Sequence, residues 1–178
     1  KTVKPETLRE HVDFAENNGV EVDEPHAAAK EKNSKTLQKI NLEGLEWLQG
    51  ASTSKLNFFS HCQELTEVKI TGENHGPRND QLDLMIDNFP PGLLKVDLTF
   101  CENLTDFHIE KLAQKCNKIT EISLSVTNVT NQSVISIVKY LKNSLELLDL
   151  TFVRINLDDI IEAVGSLPKL KYLHCDVH

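Results

Sequence analysis

One strand pattern recurs three times in the middle of the chain: Leu93-Leu94-Lys95-Val96-Asp97-Leu98, Ile119-Thr120-Glu121-Ile122-Ser123-Leu124 and Leu145-Glu146-Leu147-Leu148-Asp149-Leu150. Each copy has an apolar residue at its first, fourth and sixth positions. The sixth positions, Leu98, Leu124 and Leu150, are 26 residues apart. Between the copies, the apolar residues follow the three-to-four-residue spacing of a helix. A strand and a helix that alternate at a fixed period predict a repeat protein.

The period and the strand pattern are typical of a leucine-rich repeat solenoid. We therefore predict an α/β fold that curves like a horseshoe, with a parallel sheet on its concave face and helices on its convex face. Three further segments fit the strand pattern and bring the predicted total to about six: 37–42, 65–70 and 170–175. Helices should begin after Thr105, Thr130 and Asn156, because their side-chain oxygens can accept the unpaired amides of a first turn.

The repeat does not extend to the beginning of the chain. Residues 1–36 are predicted to form an N-terminal helical cap, and residues 37–178 the repeat domain. Pro5 can open a helix, and an apolar stripe at helical spacing follows it. A solenoid needs a capping element, because its first repeat would otherwise expose its core.

The composition suits one folded domain and argues against two kinds of partner. Of 178 residues, 39% are hydrophobic and 26% charged, enough to bury a core. The net charge is -8 and no Lys/Arg cluster is flanked by aromatic residues, so we expect no nucleic acid and favour a basic or neutral protein partner. No signal-peptide core and no apolar run of roughly 18 residues is present. We therefore expect no membrane association and an intracellular, cytoplasmic location.

The cysteines are predicted to be free thiols that pack in the interior. Their spacings are wide, and the repeat supplies a packing position for them, which makes a disulfide framework the weaker interpretation. The four are Cys62, Cys101, Cys116 and Cys175.

Two groups of reactive side chains are candidate sites of chemistry. Cys101, Asp106 and His108 lie close in sequence and could supply a thiol nucleophile with a base, as in a thiol hydrolase or transferase. The repeat pattern already accounts for Cys101 and Asp106, however. The tail His174-Cys175-Asp176-Val177-His178 lacks four metal ligands at a fitted spacing. We predict a protein that is not an enzyme, with no catalytic residue, no metal and no cofactor.

One repeat also resembles a known subfamily. The resemblance is carried by Cys101-Glu102-Asn103-Leu104-Thr105-Asp106, Ile109, Leu112-Ala113 and Cys116-Asn117-Lys118-Ile119. This stretch is similar to the cysteine-containing leucine-rich repeats of F-box substrate receptors in ubiquitin ligases, and the chain also resembles ribonuclease-inhibitor-like repeats. The resemblance implies a non-catalytic module that binds a protein, with substrate recognition in a ubiquitin-ligase-like complex as one expected role. The alternatives are an assembly or scaffold subunit of a larger complex, and a bacterial effector that imitates a host repeat protein.

The candidate partner-binding surface consists of outward positions at the ends of the middle strands. Exposed aromatic side chains framed by hydroxyls and acids suit a protein-binding hot spot. The other interpretation is that Phe100 and Phe152 fold over the strand-to-helix turns and fill space locally. The candidate residues are Asp97, Thr99, Phe100, Ser123, Ser125, Val126, Asp149, Thr151 and Phe152.

The last predicted strand, 170–175, presents an edge that neither proline nor dense charge protects. Unpaired strand edges recruit other chains. We therefore expect this edge to be covered by a second copy of the chain, through self-association, or by further sequence in a longer protein.

Overall fold

The chain forms one parallel sheet whose strands are joined by helices. The computed structural model describes residues 2–3, 36–42, 56–72 and 76–176. The strands are β1 Thr2–Val3, β2 Lys39–Asn41, β3 Glu67–Lys69, β4 Lys95–Asp97, β5 Glu121–Ser123, β6 Leu147–Leu150 and β7 Tyr172–Cys175. A 3-10 helix, Asn57–His61, precedes β3, and the α-helices are α1 Asn79–Asn88, α2 Asp106–Lys115, α3 Asn131–Leu141 and α4 Leu157–Gly165. Each strand pairs with the next along the chain, in the order β1 to β7. The predicted leucine-rich repeat solenoid is confirmed.

The strand register places one apolar column in the core. These side chains pair across successive strands, and a slip by one residue would turn each of them to the other face of the sheet. All of them are buried except Leu173, in the last strand, which is half-buried. The column consists of Ile40, Val68, Val96, Ile122, Leu148 and Leu173.

The predicted helix starts are also confirmed. Thr130 Oγ1 accepts the Gln132 amide at 3.2 Å, and Asn156 Oδ1 accepts the Asp158 amide at 3.0 Å. At the start of α2 the backbone N–H of Thr105 donates to His108 Nδ1 at 3.1 Å. This is the reciprocal half of a capping box, with a buried imidazole in the place usually taken by Glu or Gln.

The helix starts are further tied to one another from repeat to repeat. Asp106 Oδ1 accepts the backbone amides of Thr130 at 2.9 Å and Ser133 at 3.1 Å, and the hydroxyl of Ser133 at 2.5 Å. Burial would raise the pKa of Asp106, but the hydrogen bonds from Ser133 and Thr130 outweigh it and lower that pKa below its ordinary value. Asn131 continues the series, since its Oδ1 accepts the Asn156 amide at 3.0 Å. These contacts join α2, α3 and α4 at their N-terminal ends.

The sheet has one strand more than the six predicted. Thr2–Val3 pairs with Lys39 and Ile40, so the beginning of the chain returns to the sheet as β1. Apart from residues 2–3 and 36, the predicted helical cap over 1–36 lies outside the described residues. The cap and the domain boundary at residue 36 therefore stay predictions. None of the helices within the described ranges is long and apolar enough to cross a membrane.

Candidate functional site

Three consecutive strand-to-helix turns each place a residue other than glycine in the left-handed backbone region. The φ angles are 61° at Phe100, 55° at Val126 and 57° at Phe152. A left-handed conformation costs a residue with a Cβ roughly 1–2 kcal/mol, and it is unusual above all for a β-branched residue such as valine. These residues follow β4, β5 and β6 at equivalent positions, and together they are called the ridge below.

The backbone of the ridge is fixed by hydrogen bonds, two of which continue the sheet beyond its strands. The N–H of Phe100 donates to the Ser125 carbonyl at 3.0 Å, and the N–H of Val126 donates to the Thr151 carbonyl at 2.9 Å. The N–H of Phe152 donates to Asp176 Oδ2 at 2.5 Å. The first two bonds therefore keep the register of the sheet, whereas the bond to the Asp176 side chain holds the third turn.

The side chains of the ridge face solvent. Phe152 is 66% exposed and Phe100 is 39% exposed, while Val126 is half-buried between them. The two phenyl rings are thus accessible instead of filling space inside their turns. Exposed large apolar side chains that stand in a row are a feature of protein-binding surfaces.

Two identical tetrapeptides, Asp-Leu-Thr-Phe at 97–100 and 149–152, build the turns that carry the phenylalanines. Asp97 Oδ1 accepts the amide of Thr99 at 3.0 Å and its hydroxyl at 2.5 Å. Asp149 Oδ1 accepts the same two groups of Thr151 at 3.0 and 2.6 Å. An aspartate that binds the amide two residues further on stabilises a turn. Each carboxylate therefore fixes the backbone immediately before a ridge phenylalanine.

Ser123 connects the two Asp-Thr pairs. Its Oγ lies 3.1 Å from Thr99 Oγ1 and donates to Asp149 Oδ2 at 3.0 Å. Burial would raise the pKa of Asp149, but the hydrogen bonds from Thr151 and Ser123 outweigh it and lower that pKa, so this group is ionised at neutral pH. Ser125 Oγ donates to the Thr151 carbonyl at 3.0 Å. All nine residues that the sequence suggested for partner binding thus lie in one connected patch, here called the ridge patch.

The opposite ends of the strands have a different character. Lys39 pairs with Glu67 at 2.6 Å, Lys95 with Glu121 at 2.6 Å, and Lys171 with Glu146 at 2.7 Å. Exposed ion pairs of this kind contribute only about 0–1 kcal/mol each to stability. They do satisfy charge locally, however. The strand starts therefore present paired charges, whereas at the strand ends one ion pair, Lys69 with Asp97 at 4.0 Å, lies beside the exposed apolar side chains of the ridge.

The three candidate residues for thiol chemistry are not brought together in the structure. Cys101 is buried and its Sγ donates to the Ile70 carbonyl at 3.4 Å, Asp106 binds Thr130 and Ser133, and His108 Nδ1 binds Thr105. Burial, with a smaller effect of the Asp97 charge, raises the pKa of Cys101 to about 12. A thiol with that pKa is protonated at neutral pH and is a weak nucleophile.

The predicted free thiols are confirmed. All four cysteines are unpaired; Cys62, Cys101 and Cys116 are buried, and Cys175 is half-buried. Burial raises the pKa of Cys62 and of Cys116 to about 11. Within the described part of the chain, no group of three His, Cys, Asp or Glu side chains is arranged to hold a metal ion.

Two features of the site were missed from sequence alone. Gly44 and Gly72 occupy the positions that correspond to Phe100 in the two preceding repeats, but Gly72 does not adopt a left-handed φ and so is no signal for the left-handed turns. A Cβ on Gly72 would lie 2.0 Å from the Phe100 carbonyl oxygen, so the third repeat packs closely against that glycine. The Asp106 contacts have no local signal either, because they join residues more than 20 positions apart.

The parallel sheet, with its strands in chain order and its helices between them, is a leucine-rich-repeat fold. No protein-family model matches the chain, and no curated protein matches it. Several solved structures share the fold, and two of them are described here. One, described as leiomodin-1 actin-binding site 2, is 16% identical, with a TM-score of 0.51 over 71% of this chain and 78% of that chain. The other, the tropomodulin C-terminal domain of Caenorhabditis elegans, is 12% identical, with a TM-score of 0.53 over 80% and 91%.

These comparisons correct the subfamily suggested by the sequence. The structural neighbours are leiomodin and tropomodulin domains, and they give no support to the F-box or ribonuclease-inhibitor-like resemblance. The motif around Cys101 misled because its buried thiol and capped helix are packing solutions of the repeat itself. The expected role in a ubiquitin-ligase-like complex is therefore withdrawn.

Proposed function

We propose that the chain is a non-catalytic module that binds a protein partner through the ridge patch on its concave face. The observation that carries this proposal is the row of three residues in left-handed turns. Such strain persists only where the surroundings impose it, and it concentrates at sites of ligand contact. Aromatic side chains, phenylalanine among them, are also enriched in protein interfaces.

Actin is the first partner to test. The leiomodin-1 structure of similar fold is described as an actin-binding site, so a scaffold of this kind is used to bind a protein. At 16% identity the likeness establishes the fold alone, and the choice of actin is part of the proposal. An intracellular location belongs to the same proposal, and the four free cysteines support it, since thiols stay reduced in the cytosol.

Affinity capture with matched variants tests the proposal. The intact chain, the double variant Phe100→Gly/Phe152→Gly and the control Phe107→Ala would each be immobilised and exposed to a lysate of the source cells, and separately to purified actin. Phe107 lies on α2, outside the ridge patch, and is 64% exposed, close to Phe152. We expect one partner that wild type and Phe107→Ala retain and that the double variant loses. Capture of the same proteins by all three would show that the ridge patch is not the binding surface.

An assembly role is the second candidate function. It is favoured by the end of the sheet, where Leu170, Leu173 and Cys175 are only half-buried, although they continue the core positions of the preceding repeats. Apolar groups left partly open at the last described strand suit contact with another chain.

A further inference from the structure

We propose that the element of the partner that contacts the ridge is a basic amphipathic α-helix lying across the strands. This inference rests on the proposed function, because it describes what the ridge patch binds. It is drawn from the spacing of the ridge, the state of its backbone and the charge beside it.

The spacing of the ridge suits a helix better than an extended peptide. Adjacent strands in a sheet lie about 4.8 Å apart, and the ridge keeps the sheet register, so Phe100 and Phe152 are separated by about 10 Å with Val126 midway. One turn of an α-helix rises 5.4 Å, so positions i, i+3 or i+4, and i+7 follow this row over two turns. Side chains on one face of an extended peptide recur only every 6.6 Å or so.

The ridge leaves room at its middle for one large side chain of the partner. Val126 is smaller than the phenylalanines on both sides, so the middle of the ridge is lower than its ends. A leucine or phenylalanine at the middle position of a helix stripe would lie over Val126 and contact both rings. This arrangement resembles the way apolar anchors of an amphipathic helix enter a groove.

The backbone of the ridge excludes strand addition at this site. The amides of Phe100, Val126 and Phe152 all donate to partners within the chain. An added strand needs free backbone groups. Recognition at the ridge must therefore use side chains, as in helix binding.

The charged side chains beside the ridge indicate which residues the partner helix should carry next to its apolar stripe. Asp97 and Asp149 each bind the threonine that precedes a ridge phenylalanine, and Asp176 accepts the amide of Phe152. Lys69 Nζ already lies 4.0 Å from Asp97 Oδ2, but with Glu102 included the carboxylates still outnumber the neighbouring cations, and the whole chain carries a net charge of -8. A helix with Lys or Arg on the side facing the strands is complementary to this surface. The residues compared are Asp97, Glu102, Asp149 and Asp176 against Lys69 and Arg154.

Three model peptides of about 18 residues, or five helical turns, test the inference. The first is an amphipathic Leu/Lys helix, the second has the same composition in an order that destroys the apolar stripe, and the third is an amphipathic Leu/Glu helix. Fluorescence anisotropy would measure the Kd of each for the whole chain near physiological ionic strength. We expect the amphipathic Leu/Lys peptide to bind at least about tenfold more tightly than the other two. Phe100→Gly/Phe152→Gly should weaken its binding at least about tenfold, and Phe107→Ala should leave it unchanged.

Two results would overturn the helix inference. One is equal affinity for the stripe-destroying peptide, which would reduce the contact to charge attraction. The other is unchanged affinity in the Phe100→Gly/Phe152→Gly variant. The capture experiment decides the proposed function separately. If a lysate partner depends on the ridge while the helical peptides do not, only the helix inference fails.

Discussion

The left-handed backbone of the ridge sets the positions of its two phenylalanines, and this conformation lowers the stability of the fold. At Phe100, Val126 and Phe152 a Cβ stands in a region of φ that glycine occupies freely. Gly72, one repeat earlier, has no side chain to present. On the proposed function, the change from glycine to exposed phenylalanine marks where the binding surface of the solenoid begins.

Phe152→Gly should be more stable than Phe152→Ala by about 1 kcal/mol, because only glycine relieves the left-handed conformation. Both changes remove the same exposed ring, so the loss of side-chain contacts cancels in the comparison. Urea unfolding followed by circular dichroism measures the difference. An alanine variant as stable as the glycine variant would mean that the turn is not strained at this position.

Cys101 and Cys116 should react slowly with a thiol reagent in the folded protein. Burial raises their pKa values to about 12 and about 11, so little thiolate is present at neutral pH. Half-buried Cys175 should react faster, and all four should react at once in denaturant. A Cys101 that reacts rapidly before unfolding would revive the thiol-enzyme interpretation.

The helices are positioned by polar contacts that differ in how far the sequence predicts them. Thr130 and Asn156 cap their own helices, and this depends on neighbours two residues away, so it could be predicted. Asp106 binds the start of the next helix instead. The partners of Asp106 depend on how two repeats align in space, and local sequence patterns carry no information about that alignment. The burial of His108 between α1 and α2 escaped prediction for the same reason.

His108 should make the protein less stable in mildly acidic solution. Burial lowers the pKa of His108 from its ordinary value of 6.5. The Asp83 charge and the Asn79 carbonyl stabilise the protonated ring, but the effect of burial on the pKa is larger. The unfolded chain therefore binds this proton at a higher pH than the folded chain does. The free energy of unfolding should fall as the pH drops below about 6.5, until the folded pKa is passed.

His108→Gln isolates this contribution, because glutamine can also accept the Thr105 amide in a capping box. We expect its unfolding free energy to vary less between about pH 7 and pH 5 than that of wild type. His61→Gln is the matched control, since His61 is exposed on the 3-10 helix. Equal pH dependence in wild type and His108→Gln would show that His108 is not the group responsible.

At the scale of the whole molecule, the repeat pattern predicts the fold of the middle of the chain but not the structure at either end of the sheet. The period of 26 residues and the core column were sufficient to predict the parallel sheet, its register and its layer of helices. β1 was not predictable, because Thr2–Val3 is too short to show alternation. The ridge patch was found because outward positions in a repeat form columns, whereas its left-handed geometry required coordinates.

The edge of β7 should mediate self-association at high concentration. Leu173 is half-buried although its partner in register, Leu148, is fully buried, and β7 is the last strand of the described sheet. Light scattering should show a mass above that of one chain, and Leu173→Lys should return it to one chain by adding an edge charge. A wild-type protein that remains a single chain throughout would rule out this contact.

The continuity of the ridge with the sheet also makes its length adjustable by whole repeats. Because each repeat contacts only its neighbours, a second copy of residues 125–150 inserted after Leu150 would keep the register on both sides. The enlarged chain would carry two valines between its terminal phenylalanines and would span about 5 Å more. In a library of such chains, each chain would select a binding segment whose outer apolar residues match the separation of its own terminal phenylalanines.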